Sequence, residues 1–283
     1  MKKIITLLLS LLLLVSFAGC SNNGGSKDDK VIKVGATLVP HAEILNDIVK
    51  EVLAKDGWTL EVVEFNDYVT PNTALEEGSL TANYFQTLGY MNNQNSEGGL
   101  HLTAVCGVHI EPMGLYSKKW GKGQVIPNEA VLTIAVPNDT DNYNRAIDFL
   151  VYYGFLSGTG TVEELTDNPE KNPHGHKIVP LDAAYLPRSL DDVDMAVING
   201  NYALEAKLPE SYPALVVEQF NEETSIRRTN FIVVKQGTEN DPKVQALINA
   251  IISQEVTDYI NNKYKGAVIP SFIDANGKPI VKK

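Results

Sequence analysis

The chain has 283 residues, of which 43% are hydrophobic, and it carries a formal net charge of −11 at pH 7. This hydrophobic content excludes a disordered protein and is sufficient for one large domain or two medium ones. The acidic balance argues against nucleic acid or an anionic membrane surface as the main partner, because both are bound by basic patches.

The first twenty residues are typical of a secretory signal. Two lysines precede an almost wholly apolar run, Ile4–Val15, and small residues follow it. The run is shorter than the ~20 residues that a helix needs to span a membrane. The sequence FAGC at 17–20 resembles a bacterial lipobox, which implies cleavage before Cys20 and lipidation of its thiol. The mature protein would then be anchored by lipid to the extracytoplasmic face of the cell membrane. An ordinary cleaved signal with a chance cysteine is the alternative.

The residues behind this signal are predicted to be a flexible tether. Removing residues 1–19 takes away Lys2 and Lys3 and no acid, so the formal charge changes from −11 to −13. Residues 20–30 are rich in Gly, Ser and Asn and cannot bury apolar surface. Only Cys106 then remains unmodified, so stability must come from packing and not from an internal disulfide.

Strand and helix patterns alternate along the rest of the chain and predict an α/β fold with largely parallel sheets. Short apolar runs predict strands at 31–36, 60–65, 132–136, 177–181, 195–199 and 230–235. Helical spacing of apolar residues and capping signals predict helices at 44–53, 71–77, 142–153, 186–190 and 244–260.

Two loop-rich stretches, 118–130 and 218–229, interrupt this alternation and are interpreted as crossovers between two lobes. The predicted first lobe combines 31–117 with 231–283, and the predicted second lobe is 118–230. Clefts between domains are favoured ligand sites, so the cleft is where we expect the functional residues.

Several segments, in order along the mature chain, resemble one family. They are VGATLVPHAEIL (34–45), VEFNDYVTPNTAL (63–75), ANYFQ (82–86), VHIEPMGLYSKK (108–119), IAVPNDTDNYNRAI (134–147), LPRSLDDVDMAVINGNYA (186–203) and NFIVV (230–234). Together they are similar to the methionine-binding lipoproteins of the NlpA/MetQ type, which are the extracytoplasmic substrate-binding subunits of methionine ABC importers. The resemblance implies a bilobal periplasmic-binding-protein fold: two α/β lobes joined by two crossover segments, with the ligand between the lobes. It also implies a monomer that passes L-methionine to a permease with its ATPase and needs no cofactor.

The polar residues expected at the ligand follow from the chemistry of an amino acid. Its carboxylate needs a cation and its ammonium needs acceptors. Arg145 has a planar guanidinium that suits a bidentate carboxylate contact, and the family's NDT…R motif falls on 138–140 and Arg145. Asn199 and Asn230 lie at strand ends, where an amide can bond to the amino or the carboxylate group. The alternatives are a surface arginine and two turn asparagines.

An apolar wall must hold the ligand's side chain, and aromatic rings make favourable contacts with a thioether. Tyr68, Phe85 and Tyr90 are predicted to form this wall, with core packing as the alternative. His109 is predicted to donate to the ligand or to pack beside it, and Glu111 lies on the same strand face and could accept from His109 or from an ammonium. A structural histidine and a surface acid are the alternatives. The predicted ligand-binding residues are Tyr68, Phe85, Tyr90, His109, Arg145, Asn199 and Asn230.

The sequence departs from the family pattern at three positions. Thr87 and Gly89 occupy places where relatives commonly carry a histidine and a proline after FQ, and Arg228 occupies a place where relatives often carry a tyrosine. Arg228 would favour a longer or more acidic ligand if it faces the cleft; the alternative is a surface position. Methionine, a methionine-containing dipeptide and another small amino acid therefore all stay open as ligands.

Two other classes of function are weighed against binding. A metal-binding lipoprotein would need three or four converging ligands, and only His174 and His176 are close in sequence, so no metal site is predicted. A secreted hydrolase would need a nucleophile motif, but neither Gly-x-Ser-x-Gly nor His-Glu-x-x-His occurs, and Cys106 lies in an apolar strand. The chain is therefore predicted not to be an enzyme.

Overall fold

A computed structural model describes residues 30–127 and 129–280, which form two β-sheets with packed helices. The strands are β1 Val31–Thr37, β2 Thr59–Phe65, β3 Ala82–Thr87, β4 Leu102–Ile110, β5 Gly114–Tyr116, β6 Thr133–Pro137, β7 Lys177–Leu181, β8 Met195–Ile198, β9 Val216–Val217, β10 Thr229–Lys235 and β11 Ile269–Pro270. The predicted signal, Cys20 and the tether up to residue 29 lie outside the described residues. Within them, no helix combines the length and apolarity that a membrane span requires.

The helices are mostly short. They are α1 Lys50–Lys55, α2 Thr70–Glu76, α3 Leu88–Gly98, α4 Thr140–Tyr152, α5 Val162–Asp167, α6 Leu186–Ser189, α7 Gly200–Glu205, α8 Leu208–Ser211, α9 Glu222–Arg228, α10 Pro242–Ile251 and α11 Gln254–Tyr264. Wide π-helical turns at Leu38–Ala42 and Leu45–Val49 lead into α1, and a 3-10 turn at Ala183–Tyr185 precedes α6.

The first sheet has the strand order β11-β4-β10-β3-β1-β2 and has a hydrophobic core on each face. Strand β1 runs parallel to β2 and β3, whereas β10 is antiparallel to β3 and β4. Side chains along β10 alternate between two cores: Ile232 and Val234 pack on one face, and Phe231 and Val233 on the other. Burial on both faces explains why this strand is one continuous apolar run in the sequence.

The second sheet has the order β7-β6-β8-β5-β9 and shows the same arrangement. In β8, Met195 and Val197 belong to one core and Ala196 and Ile198 to the other. Strands β6, β7 and β8 are parallel, and the carboxyl ends of β6 and β8 lead directly to α4 and α7. Residues that follow these two strands are thereby brought to one edge of the sheet.

The chain passes between the sheets at 111–113 and again at 218–228, and it thus forms two lobes. The first passage lies before the expected segment 118–130, because Gly114–Tyr116 pairs with β8 and already belongs to the second sheet. The second passage agrees with the expected stretch 218–229 and contains α9. The first lobe ends at residue 110 and resumes at residue 229, and the second lobe spans residues 114–217. The limits expected from the sequence were 117 for the end of the first segment and 231 for its return.

The six predicted strands agree with observed strands to within one residue at each end, but two predicted helices differ. The helix expected over 44–53 is a π-helical turn followed by α1. The helix expected over 244–260 is two helices, α10 and α11, because the hydroxyl of Ser253 caps the second one by accepting from the backbone N–H of Val256 at 3.4 Å. Helix α4 begins at Thr140, before the expected Asn142, because Asp139 acts as its N-cap.

Candidate functional site

A cavity lies between the two sheets and is lined by residues from both. Its lining residues are Tyr68, Phe85, Gln86, Thr87, Tyr90, Glu111, Asn142, Arg145, Asn199, Gly200, Asn201 and Asn230. Six of the seven residues predicted as ligand-binding are among them. The seventh, His109, is fully buried behind Glu111 and does not line the cavity.

Aromatic rings form one side of the cavity. Tyr68, Phe85 and Tyr90 make a triangle with ring centroids 5.6 to 6.0 Å apart, and Tyr202 from the second lobe stacks on Tyr68 at 5.0 Å. Offset and edge-to-face contacts at these distances stabilise the rings as a rigid group. The rings can therefore hold an apolar or thioether side chain without first being ordered by it.

Helix α4 presents two polar residues to the cavity on one face. The carboxylate of Asp139 caps the helix, accepting from the backbone N–H of Asn142 at 3.0 Å and from its side-chain amide at 3.0 and 3.1 Å. Arg145 follows Asn142 by three residues, and this spacing places both on the same side of a helix. Asn142 was missed in the sequence, although its spacing from Arg145 is a signal that could have found it.

The guanidinium of Arg145 is buried and already partly paired. Its Nε and Nη2 contact the carboxylate of Glu218 at 2.5 to 3.1 Å, and Nη2 also donates to the backbone oxygen of Glu111 at 2.9 Å. Burial would raise the pKa of Glu218, but Arg145 with further hydrogen bonds holds it below its ordinary value. Arg145 Nη1 makes no hydrogen bond within the described residues, so one edge of the cation is available to an anionic ligand group.

Two buried amide atoms in the cavity have no hydrogen-bond partner among the described residues: Asn199 Oδ1 and Asn201 Nδ2. The amide of Asn142 donates to Asp139, so its oxygen accepts from Asn199 Nδ2 at 2.8 Å, which leaves Asn199 Oδ1 as a free acceptor. Asn201 Oδ1 accepts from the Tyr68 hydroxyl at 2.6 Å, which leaves Asn201 Nδ2 as a free donor. Buried polar atoms are costly without partners, so the pair indicates a ligand with both a donor and an acceptor.

A close approach of the backbone holds this asparagine pair in place. A Cβ atom at Gly200 would lie 2.9 Å from Glu111 Cβ and 3.0 Å from the backbone oxygen of Pro112. Glycine is therefore needed where α7 meets the first connection between the lobes. Gly200 and Asn201 were not predicted, but both directly follow Asn199 in the sequence.

Behind the cavity lies a buried network of two histidines and a glutamate. His109 Nε2 and His41 Nε2 approach Glu111 Oε1 at 2.6 and 3.4 Å, and His41 also contacts Asn230 Oδ1 at 3.2 Å. Their other ring nitrogens contact the hydroxyls of Tyr84 and Thr37. Burial lowers the pKa of His41 to about 4 and that of His109 to about 3, so both rings are neutral near pH 7.

These three residues are also the one group of His, Cys, Asp or Glu side chains in the described part of the chain whose donor atoms lie within 4.8 Å of one another. Each of the four ring nitrogens already has a hydrogen-bond partner. These hydrogen bonds are sufficient to explain why the rings can be buried. His174 and His176, the two histidines that are close in sequence, lie in a loop away from this network, and their ring centroids are 5.3 Å apart.

The sequence departures from the family pattern lie around α4 and α9. Thr87 lines the cavity and its hydroxyl donates to Asp141 Oδ2 at 3.3 Å, while a Cβ atom at Gly89 would lie 2.3 Å from Asp141 Oδ1. Arg228 does not line the cavity; its Nε lies 3.3 Å from Glu218 Oε1. The extra arginine therefore faces the carboxylate that pairs with Arg145, and not the cleft.

The remaining cysteine is not a nucleophile in this environment. Cys106 is fully buried in β4, and burial raises the pKa of its thiol to about 12. Since the thiolate is the reactive form, the side chain behaves as a small apolar core residue.

The chain is similar in sequence to one family of lipoproteins over most of its length. The family model described as NlpA lipoprotein matches residues 32–272. The methionine-binding lipoprotein MetQ of Bacillus subtilis is 34% identical over 278 residues, which cover 95% of this chain and 99% of the relative.

Two solved structures have similar folds. A nutrient-binding protein from Burkholderia cenocepacia, bound to methionine, is 38% identical with a TM-score of 0.76, covering 85% of this chain and 100% of that one. The substrate-binding protein of a methionine transporter from Streptococcus pneumoniae is 36% identical with a TM-score of 0.75, covering 85% of this chain and 95% of that one. The bilobal fold inferred from the sequence is thereby confirmed.

Proposed function

The chain belongs to the NlpA lipoprotein family, and from this membership we propose that it captures L-methionine between its lobes and delivers it to an ABC importer. The names of its relatives support this ligand, since one is a methionine-binding lipoprotein and another was solved with methionine bound. Because the family and these relatives are substrate-binding proteins, the prediction that the chain is not an enzyme is confirmed.

The observation that carries the proposal is the pair of unpartnered amide atoms beside a half-paired arginine. Arg145 Nη1 and Asn201 Nδ2 are donors suited to an α-carboxylate, and Asn199 Oδ1 is an acceptor suited to an α-ammonium. The aromatic triangle faces the same cavity and suits the thioether side chain.

The mechanism that fits this arrangement is closure of the two lobes around the ligand. Several hydrogen bonds already join the lobes near the cavity, including Tyr68 to Asn201 at 2.6 Å and Tyr202 to the backbone oxygen of Asn66 at 3.3 Å. A ligand shifts the closure equilibrium only through contacts that differ between the open and closed forms. Arg145 and the two asparagines of the second lobe would supply those contacts to a ligand held by the rings of the first.

The location and assembly are also part of the proposal. The lipobox-like sequence ending at Cys20 and the lipoprotein family support a lipid-anchored protein on the extracytoplasmic face of the membrane. We expect it to act as a monomer that docks on a permease with its ATPase, since its relative from Streptococcus pneumoniae serves a methionine transporter.

Titration calorimetry on ligand-stripped protein tests the ligand. We expect L-methionine to bind more tightly than norleucine, which lacks the sulfur, and than methionyl-alanine, which extends the carboxyl side. Tighter binding of the dipeptide would retain the transport role and change the ligand. No binding of any amino acid or dipeptide would contradict the proposal.

Tyr68→Phe tests the hydrogen bond that orients Asn201 across the cleft. Removing the hydroxyl deletes a bond that joins the lobes, so we expect methionine binding to weaken about 5- to 10-fold, or ~1 kcal/mol. Tyr202→Phe is the matched control, because its hydroxyl also joins the lobes at 3.3 Å but does not line the cavity. Equal losses in both variants would show that interlobe bonding in general, and not Asn201, determines the affinity.

A further inference from the structure

Glu111 is a buried acid that the proposed ligand contacts leave unexplained. It lies in the first connection between the lobes, is 5% exposed and lines the cavity. Its backbone oxygen accepts from Arg145, and its side chain faces the histidine pair. It therefore touches both lobes at the point about which they would close.

The direction of the hydrogen bonds around Glu111 follows from its chemistry. An ionised carboxylate only accepts, so His109 Nε2 carries the proton and its Nδ1 accepts from the Tyr84 hydroxyl. His41 Nε2 likewise faces two acceptors, Glu111 Oε1 and Asn230 Oδ1, so it donates and its Nδ1 accepts from Thr37. Both rings are then neutral donors that orient the carboxylate.

These contacts hold the carboxylate without cancelling its charge. Within 30–127 and 129–280, no lysine or arginine nitrogen lies within 4.0 Å of its oxygens, and the nearby cation Arg145 is ion-paired with Glu218. A buried carboxylate without a cation is costly. A ligand that brings a cation into the cavity removes this cost.

We propose that Glu111 accepts the α-ammonium of the bound amino acid, and that His41 and His109 are positioning residues that hold its carboxylate toward the cavity. The inference rests on the proposed function and deepens it. Arg145 Nη2 donates to the Glu111 backbone oxygen at 2.9 Å, so the guanidinium and the carboxylate that face the cavity lie close together. The carboxylate and the ammonium of an α-amino acid are also close together, because one carbon atom carries both.

A link between binding and protonation follows from this geometry. Burial raises the pKa of Glu111, while His41, Arg145 and the Asn201 backbone N–H oppose the rise. His109, Tyr68 and Tyr84 are the other titratable groups that interact with it. A bound ammonium favours the ionised carboxylate, so binding releases a proton wherever the free protein holds one. Affinity for methionine should therefore increase as the pH rises above the ordinary glutamate value.

The experiment compares methionine with its des-amino analogue, methylthiobutanoate, by titration calorimetry on wild type and Glu111→Gln. We expect the variant to weaken methionine about 10- to 100-fold and to change the analogue less than about 3-fold. Equal losses for both ligands, or no loss for methionine, would overturn the role of Glu111 alone. Failure of wild type to bind methionine would overturn the proposed function and this inference together.

The positioning role is tested with His109→Gln and His109→Leu. Glutamine keeps a donor that can reach Glu111, whereas leucine removes it. We expect the leucine variant to lose the preference for methionine over the analogue and to shift the pH profile of methionine affinity, and the glutamine variant to restore much of both. Identical pH profiles for the two variants would overturn the role of His109. The same pair of substitutions at His41 provides a second test if a leucine at 109 prevents folding.

Discussion

Arg145→Ala is expected to weaken methionine binding by about 2 to 4 kcal/mol, or about 30- to 1000-fold, because it would remove the buried charge-assisted contact that we propose for the ligand's carboxylate. The guanidinium is 5% exposed and reaches the cavity from α4, so water cannot readily replace it. The substitution also removes the main ion pair of Glu218, which keeps the contact with Arg228 at 3.3 Å and the backbone N–H of Met113 at 3.1 Å.

A matched control separates the ligand contact from the ion pair. Arg228→Gln removes the other cation of Glu218 without touching the lining of the cavity, so we expect its methionine affinity to change less than about 3-fold, or ~0.6 kcal/mol. Calorimetry measures the methionine affinity of both variants, and thermal melts verify that both are folded. A change under about tenfold for Arg145→Ala, which is ~1.4 kcal/mol, would remove Arg145 from the carboxylate role.

Acidification from pH 6.5 to about 5 is expected to lower the free energy of unfolding by about 2 to 4 kcal/mol, since one group that titrates only in the unfolded state contributes ~1.4 kcal/mol per pH unit. Unfolded histidines take up protons in this window, whereas folded His41 and His109, with pKa values of about 4 and about 3, do not. The unfolded state thus binds more protons, and stability falls with the pH. The raised pKa of Glu111 acts in the opposite direction and reduces the loss.

Urea unfolding of ligand-stripped protein between pH 7 and about 5 measures this dependence. His109→Gln should remove about half of the slope, because His109 is one of the two rings that stay neutral in the folded state. A stability that is flat or rises on acidification would contradict the neutral, buried histidine pair.

Much of the fold could be predicted because its signals are local. Strand β8 and residues 231–234 of β10 are continuous apolar runs, and Gly78 follows α2 in a left-handed conformation that favours glycine. The earlier passage between lobes could not be predicted, because β5 has three residues and is defined only by its pairing with distant β8. The break at Ser253 was missed because apolar spacing continues across it.

Some cavity residues could likewise be predicted from local sequence signals, and others could not. Arg145, Asn199 and Asn230 were predicted, because strand ends and helix starts meet at one edge of an α/β sheet. The contact between His109 and Glu111 was foreseen from their spacing of two residues. The approach of His41 to the same carboxylate could not be predicted, because His41 lies far from both in sequence. Asn201 acquires its importance only through the hydroxyl of Tyr68 across the cleft.

Mass spectrometry of the small molecules released on denaturing the purified protein would identify the ligand that the protein carries. We expect methionine in about a one-to-one ratio to wild-type protein and to Arg228→Gln, and its loss from Arg145→Ala. A stoichiometric ligand without an α-ammonium and α-carboxylate pair, or a stoichiometric metal ion in its place, would contradict the proposed function.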